Sequence, residues 1–255
     1  MARYKLILAY DGAAFAGSQR QALTARSRTG QRQTVQGALE EALRSLGWSG
    51  RSVLMAGRTD AGAHASGQVA AVDVEWQHTA ETLRDALNAR LPFEMVVRYA
   101  EEVDPSFHPR FDALSRRYRY SLFCGPLRHP LRERLAWRVW PAFDPAMLHE
   151  TAPLFRGQHD FGAFGSAPVK HAGTLRTVKL AQWQQTDPSG LWQFDVAADA
   201  FLYRMVRRLV FIQVAVAQGR CSSKAVLKAL DRGKGSELPA GLAPAHGLEL
   251  MQVDY

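Results

Sequence analysis

The stretch VLMAGRTDAGAHASGQVAAV, residues 53–72, decides how this chain is read. A short apolar run at 52–56 and a second at 69–74 have the pattern of buried strands, and the glycine-bearing segment between them reads as a sharp turn. Asp60 stands in that turn among Thr59, Ala61, Gly62 and Ala63, neighbours small enough for a large substrate group to approach the carboxylate. Two readings of it are open: an Asx-turn in which the side chain caps its own backbone, the usual fate of an aspartate beside glycine, or an exposed acid with chemistry to perform. Beside Asp60 there is no phosphatase-type D-x-D, and no second Asp-small-Gly turn offers the partner of a protease dyad. His64, four residues on, is expected to hydrogen-bond within the turn rather than to titrate usefully.

Working outward, RYKLILAYDG alternates Tyr4, Leu6, Leu8 and Tyr10 as a strand does, and Asp11-Gly12 ends it. TVQGALEEALRSLG sets Val35, Leu39, Leu43 and Leu46 on one helical face, with Thr34 as N-cap and Gly47 past the end. TAETLRDALNARLP is a second capped helix, stopped by Pro92, and a strand over 95–102 closes this half. The second half restarts at SRRYRYSLF, whose Arg117-Tyr118-Arg119-Tyr120 echoes Arg3-Tyr4-Lys5; chance accounts for so short an echo nearly as well as internal duplication, but the order of the elements that follow agrees with the first half. A helix after Asp144-Pro145, strands near 174–184 and 191–199 and a helix from about 201 follow. The pattern predicts an α+β protein with mixed or antiparallel sheets and helices on one face, in two domains, 1–105 and 106–255. The segment ALTARSRTGQR, 22–32, has no periodicity and reads as a mobile, arginine-bearing loop.

The 255 residues, 47% hydrophobic, suffice for large cores. Cys124 and Cys221 fall in no C-x-x-C spacing and H-E-x-x-H is absent, so neither a disulfide framework nor a metal site is suggested and a reducing compartment fits. The N-terminal apolar run is too short for a secretory signal and no stretch is long enough to cross a bilayer; a soluble, cytoplasmic protein without membrane contact is expected. The net charge of +8, mostly from arginine, favours an anionic partner, although solubility or arginine-rich codon usage would give the same balance.

Two clusters sharpen that choice. From Arg110 to Arg138 eight arginines face two acids, Asp112 and Glu133, among Tyr118, Tyr120, Phe123, Trp137 and Trp140. Such a mixture suits a surface that grips phosphates and stacks bases, or else a half-buried strand with one wet face; the strand reading is taken for Tyr120 and both stay open for Tyr118. In FLYRMVRRLVFIQVAVAQG, Leu202, Met205, Val206, Leu209, Ile212 and Val216 give an apolar face, with Arg204, Arg207 and Arg208 beside it. Arg207, nearest the core edge, is either solvated or paired, and the isolated Asp60 is a candidate partner.

The elements YDGAAFAGSQRQ, TVQGALEEAL, GRTDAGAHASGQVA, LNARLP, SFHPRFDALSRRYRY, FRGQHDFGAF, RTV, FLYRMVRRLV and APAHGLELMQVDY occur in one order. From residue 3 to 255 the chain thereby resembles the tRNA pseudouridine synthases of the A type. The resemblance implies that Asp60 is the catalytic nucleophile, that Tyr118 stacks on the flipped uracil, with a share in proton transfer open to it, that Arg207 pairs with the carboxylate, and that Arg58 helps extrude the base. Arg204 and Arg208 are candidate substrate contacts. It further implies two α/β-sandwich domains around a basic RNA-binding cleft, a homodimer, and uridines at positions 38–40 of the tRNA anticodon arm as substrates. Isomerising uridine breaks one glycosidic bond and forms another, so no cofactor, metal or redox group is called for and one ionised aspartate suffices. A base that must leave its stack explains an aromatic platform and a propping arginine.

Departures from the family pattern are Ser18, where G-W-Q is common, and the long 22–32 segment, both in a region thought to touch RNA. Phe211 for glycine and Ala63 for valine look like packing changes. The competing functions are a catalytically silent RNA-binding or RNA-chaperone protein on the same fold, and a synthase acting on another RNA. If the arginines of 110–138 and 204–208 line an RNA surface, tRNA affinity should fall by roughly 0.7–0.9 log units per log unit of salt for each phosphate neutralised. Affinity that stays flat between low and physiological salt would contradict this.

Overall fold

The computed structural model describes residues 1–20, 33–167, 173–186, 190–235 and 237–255, so the segment 22–32 lies outside the described residues. Two compact units divide the chain, Met1–Leu114 with Leu250–Tyr255, and Ser115–Glu249. The first contains β1 (Ala2–Tyr10), α1 (Val35–Arg44), β2 (Leu54–Met55), β3 (His64–Val74), α2 (Ala80–Asn88) and β4 (Met95–Val103). The second contains β5 (Ser115–Cys124), β6 (Trp137–Val139), α3 (Pro145–Thr151), β7 (Gly157–Asp160), β8 (Leu175–Gln185), β9 (Leu191–Ala198), α4 (Met205–Ala217) and α5 (Ser223–Arg232). A last strand, β10 (Leu248–Asp254), counts with the first unit from Leu250 onward. The two halves share one order of elements, β1-α1-β2-β3-α2-β4 and β5-α3-β8-β9-α4-β10, with β6, β7 and α5 added in the second, so the Arg-Tyr echo stands at the head of matching series.

In the first unit the strands lie in the order β4, β1, β3, β10, with β2 on β3. β1 is antiparallel to both neighbours, Leu6 standing opposite Ala70 of β3 and Ala100 of β4. Its alternation is that of a half-buried strand: Tyr4, Leu6, Leu8 and Tyr10 are buried and the residues between them are not. Val35, Leu39 and Leu43 of α1 and Leu83 and Leu87 of α2 are fully buried, each such side chain stabilising by roughly 1.5–3 kcal/mol. Both helices begin where a hydroxyl can take an orphan amide, Thr34 accepting from Gly37 N–H and Thr79 from Thr82 N–H.

In the second unit β7, β8, β9 and β5 pair antiparallel in that order and β6 adds to β5 in parallel, giving the mixed sheet expected of an α+β protein. The alternation of β5 sends Tyr118, Tyr120 and Leu122 into the core. Arg117 and Arg119 take the other face, where Asp195 of β9, 1% exposed, stands opposite Arg119 in register. Arg119 meets that carboxylate in a two-bond fork of 2.9 and 3.0 Å, and Arg117 adds a third bond of 3.0 Å. Half of what the sequence offered as a phosphate-gripping Arg-Tyr alternation is therefore an internal ion cluster.

α4 starts at Met205, later than the apolar period suggests. Tyr203 is tied to Ser166 in an antiparallel bridge, and Arg204 turns the chain through a left-handed conformation at φ 64°, ψ 8°. Leu202 is thus buried ahead of the helix, not on it. No described helix is long and apolar enough to cross a membrane.

Burial alone would raise the Asp195 pKa, but the hydrogen bonds and charges of Arg119 and then Arg117 prevail and hold it below the usual carboxylate value. With the folded value below an unfolded one of about 3.9, the cluster's stabilisation is present above that pH and is lost as pH falls through the folded value. Asp195→Asn should cost roughly 2 kcal/mol at neutral pH, under the 3–5 kcal/mol of a fully buried pair because the Arg117 and Arg119 side chains are 40% and 25% exposed. In urea melts its deficit should narrow as the solution is acidified through the carboxylate range; a deficit independent of pH would contradict the assignment.

Candidate active site

The turn between β2 and β3 is tied down most fully at Thr59. Thr59 is 8% exposed, and its three polar groups are all engaged. Its N–H donates to Ser18 Oγ at 2.8 Å, its carbonyl accepts from Ser18 N–H at 3.1 Å, and its hydroxyl lies 2.9 Å from that of Tyr10. Gln68, fully buried, donates to Gly57 carbonyl at 3.0 Å from beneath. Beyond Thr59 the turn closes through Ala63 N–H to Asp60 carbonyl, 3.0 Å, and Gly62, at φ 83°, donates to Gly12 carbonyl at 3.2 Å. Asp60 is left half-buried between exposed Arg58 and exposed Ala61.

The glycines of the 10–18 segment are there for contact. A Cβ on Gly12 would stand 1.9 Å from Ala63 carbonyl oxygen, and one on Gly17, at φ 97°, 3.2 Å from that of Thr59. His64 serves the same packing, its Nδ1 accepting from Gly12 N–H at 3.1 Å. Ser18 is only 1% exposed and faces Thr59. The expectation that this position belongs to an RNA-touching surface is corrected: its hydroxyl is spent inside the protein. Nothing local in G-S-Q signals a contact with a residue 41 positions away.

In the second unit Tyr118 lies 8% exposed on the inward face of β5, edge-on to Phe201 with centroids 5.0 Å apart. Tyr120 is fully buried and donates to Pro244 carbonyl at 2.8 Å, which bears out the strand reading. Burial drives its phenol well above the ordinary value while the positive charge of Arg207 opposes the shift. Arg207 Nε donates to Ala243 carbonyl at 2.7 Å, and Ala243 N–H returns to Arg207 carbonyl at 3.3 Å. Arg208 Nη1 donates to the carbonyls of Pro239 and Gly241 at 2.7 and 2.8 Å, and burial lowers its pKa.

Arg204, Arg207 and Arg208 therefore form no common stripe. Arg207 and Arg208 grip the 239–243 segment, whereas Arg204 is exposed with its guanidinium 4.7 Å above the ring of Tyr203. Phe211 stacks on Trp137 at 6.5 Å and carries Arg208 and Arg220 over its faces at 5.7 and 5.4 Å. It fits because residue 241 is glycine: a Cβ there would stand 2.1 Å from the ring. Among the described residues no group of three or more His, Cys, Asp or Glu could hold a metal ion.

Fold and turn together define an α+β protein whose first unit presents a candidate acid, Asp60, on a braced turn. The sequence model of a family described as tRNA pseudouridine synthase matches residues 7–112 and 151–255. The tRNA pseudouridine synthase A of Methylacidiphilum infernorum is 42% identical over 255 residues, covering 99% of this chain and 95% of its own length. That of Xanthobacter autotrophicus is 39% identical, with both chains covered in full, and that of Chloroflexus aurantiacus is 38% identical over 98% of this chain and 87% of its own. The chain belongs to the tRNA pseudouridine synthase A family, whose members are isomerases. The matched ranges hold Arg58, Asp60 and all of α4; Tyr118 falls between them.

Gly241→Ala should drive a methyl group into Phe211 at φ 142°, where L residues are strained, and should cost about 1–3 kcal/mol. Thermal melts should show a lowered Tm, and Phe211→Ala in the same chain should recover part of the loss. An unchanged Tm in the single variant would contradict the packing described.

Proposed function

We propose that this protein isomerises uridine to pseudouridine at positions 38–40 in the anticodon arm of tRNA, as a cytoplasmic homodimer, with Asp60 as nucleophile. The observation that carries the reading is a half-buried Asp60 held next to a fully engaged Thr59, in a chain of this family. The reaction breaks N1–C1′, turns the uracil, joins C5 to C1′ and releases the C5 hydrogen as a proton while N1 takes one up. Asp60 either takes a ribose proton or adds to sugar or base, and each route begins from an ionised, accessible acid.

In this reading Arg58, exposed beside the nucleophile, props the gap left by the extruded base. Tyr118 offers its ring to the uracil. Arg207 supplies the cation the carboxylate needs, with its Nε already fixed by Ala243. Arg204, exposed and stacked on Tyr203, contacts RNA. For Arg208 the proposal is narrower: with one nitrogen committed to two carbonyls, it reaches substrate only through the rest of its guanidinium. Recognition of neighbouring uridines by one site fits phosphate and shape contacts better than base reading. No cofactor has a part in it.

Asp60→Asn preserves shape but removes the nucleophile, so tritium release from C5-labelled uridine in tRNA should fall to background while tRNA binding persists. Arg207→Ala should slow release by roughly 100-fold or more, and Arg207→Lys should recover only part of it because a point charge lacks the planar fork. The double variant should be about as slow as the worse single one. Full release by Asp60→Asn would overturn the mechanism and leave an RNA-binding role.

A further inference from the structure

Thr59, next to Asp60, is one of the residues that attach the turn to the rest of the first unit, and its backbone is held by one partner, Ser18. The two bonds between them are reciprocal, as in a strand pair, except that a side-chain oxygen replaces a carbonyl as one acceptor. Ser18 is itself immobilised. The first amides of α1, which a helix leaves without internal partners, are taken by this segment: Val35 N–H donates to Gly17 carbonyl at 3.2 Å and Gln36 N–H to Ser18 carbonyl at 2.9 Å.

The same helix grips both approaches to the turn. Glu40, fully buried, accepts from Arg20 at 3.0 Å on one side and from Val53 N–H at 3.2 Å on the other. It also accepts from Gln36 Nε2 at 2.9 Å, while Gln36 Oε1 takes Arg20 N–H at 2.9 Å. α1 is thus a rigid reference from which Ser18 reaches across to the turn.

We infer that Ser18 is a positioning residue for the reaction: by fixing Thr59 through its hydroxyl it sets the direction in which the Asp60 carboxylate leaves the turn, with Tyr10 holding the Thr59 hydroxyl in support. This rests on Asp60 as the nucleophile. Without Ser18 Oγ, a buried amide next to the nucleophile would lack its acceptor, and the turn would shift to find one. A displacement of about 1 Å at a reacting group is worth on the order of 100-fold in rate.

The test compares Ser18→Ala, Tyr10→Phe and Asp60→Asn as full-length proteins, reading kcat and KM by tritium release from C5-labelled tRNA and stability by thermal melts. Ser18→Ala should lower kcat tenfold to 100-fold with KM within twofold of the parent, and Tyr10→Phe should lower kcat several-fold in the same way. Parental kcat in folded Ser18→Ala overturns the inference. So does a loss that vanishes on cooling in step with a lowered Tm, which marks a folding effect alone. Should Ser18→Ala fail to fold, Tyr10→Phe decides: reduced kcat with KM held supports the inference, and parental kcat overturns it. Turnover by Asp60→Asn would instead remove the nucleophile reading, whereas an inactive Asp60→Asn beside a fully active Ser18→Ala sinks the positioning role alone.

Discussion

The paired hydrogen bonds between Ser18 and Thr59 are the constraint on which the first unit's candidate site depends. A turn exposed enough to present a carboxylate is by the same token short of packing, and its direction has to be imposed by bonds to something rigid. Here the rigid body is α1, which meets the 17–18 carbonyls with its unpaired first amides and ties Arg20 and Val53 to the buried Glu40. The glycines at 12 and 17 let the backbone come close enough for this to happen. Local chain chemistry, helix capping and the presentation of Asp60 are consequences of one arrangement.

The second unit solves a comparable problem with arginines. Tyr120 and Arg207 hold the carbonyls of Pro244 and Ala243, and Arg208 those of Pro239 and Gly241, so a loop with little apolar burial is secured by charged and phenolic donors. Strong donors aimed at backbone carbonyls fix geometry well because each guanidinium offers several N–H groups in a rigid plane. The glycine at 241 and the phenylalanine at 211 are complementary within it, which explains a bulky residue where the family pattern often has glycine.

What could be read from the sequence was what is local. Thr34 and Thr79 announce helix starts because a cap acts within three residues, and β1 announces its buried face because the strand period is two. The Asp60 turn was legible for the same reason, lying between two apolar runs. The start of α4 was not, since the apolar spacing continues through Leu202 while a bridge to Ser166 and the left-handed Arg204 delay the helix. Nor was the fate of the β5 arginines: a strand's alternation says that Arg117 and Arg119 share a face, but only the register with β9 places Asp195 opposite them. Ser18 looked like a surface departure because its partner is remote in sequence. Family elements carried the site further than periodicity could, and contacts across the sheet decided which of the polar residues serve the fold.

The claim that ties these observations together is that the acid on this turn makes pseudouridine in the anticodon arm of tRNA. It is tested most directly by mapping pseudouridines, with carbodiimide and primer extension, in tRNA from a strain lacking the gene and from the same strain given back either the parent protein or Asp60→Asn. The account predicts stops at positions 38–40 that vanish on deletion, return with the parent and stay absent with Asp60→Asn. Stops that persist after deletion, or that return with Asp60→Asn, would contradict it.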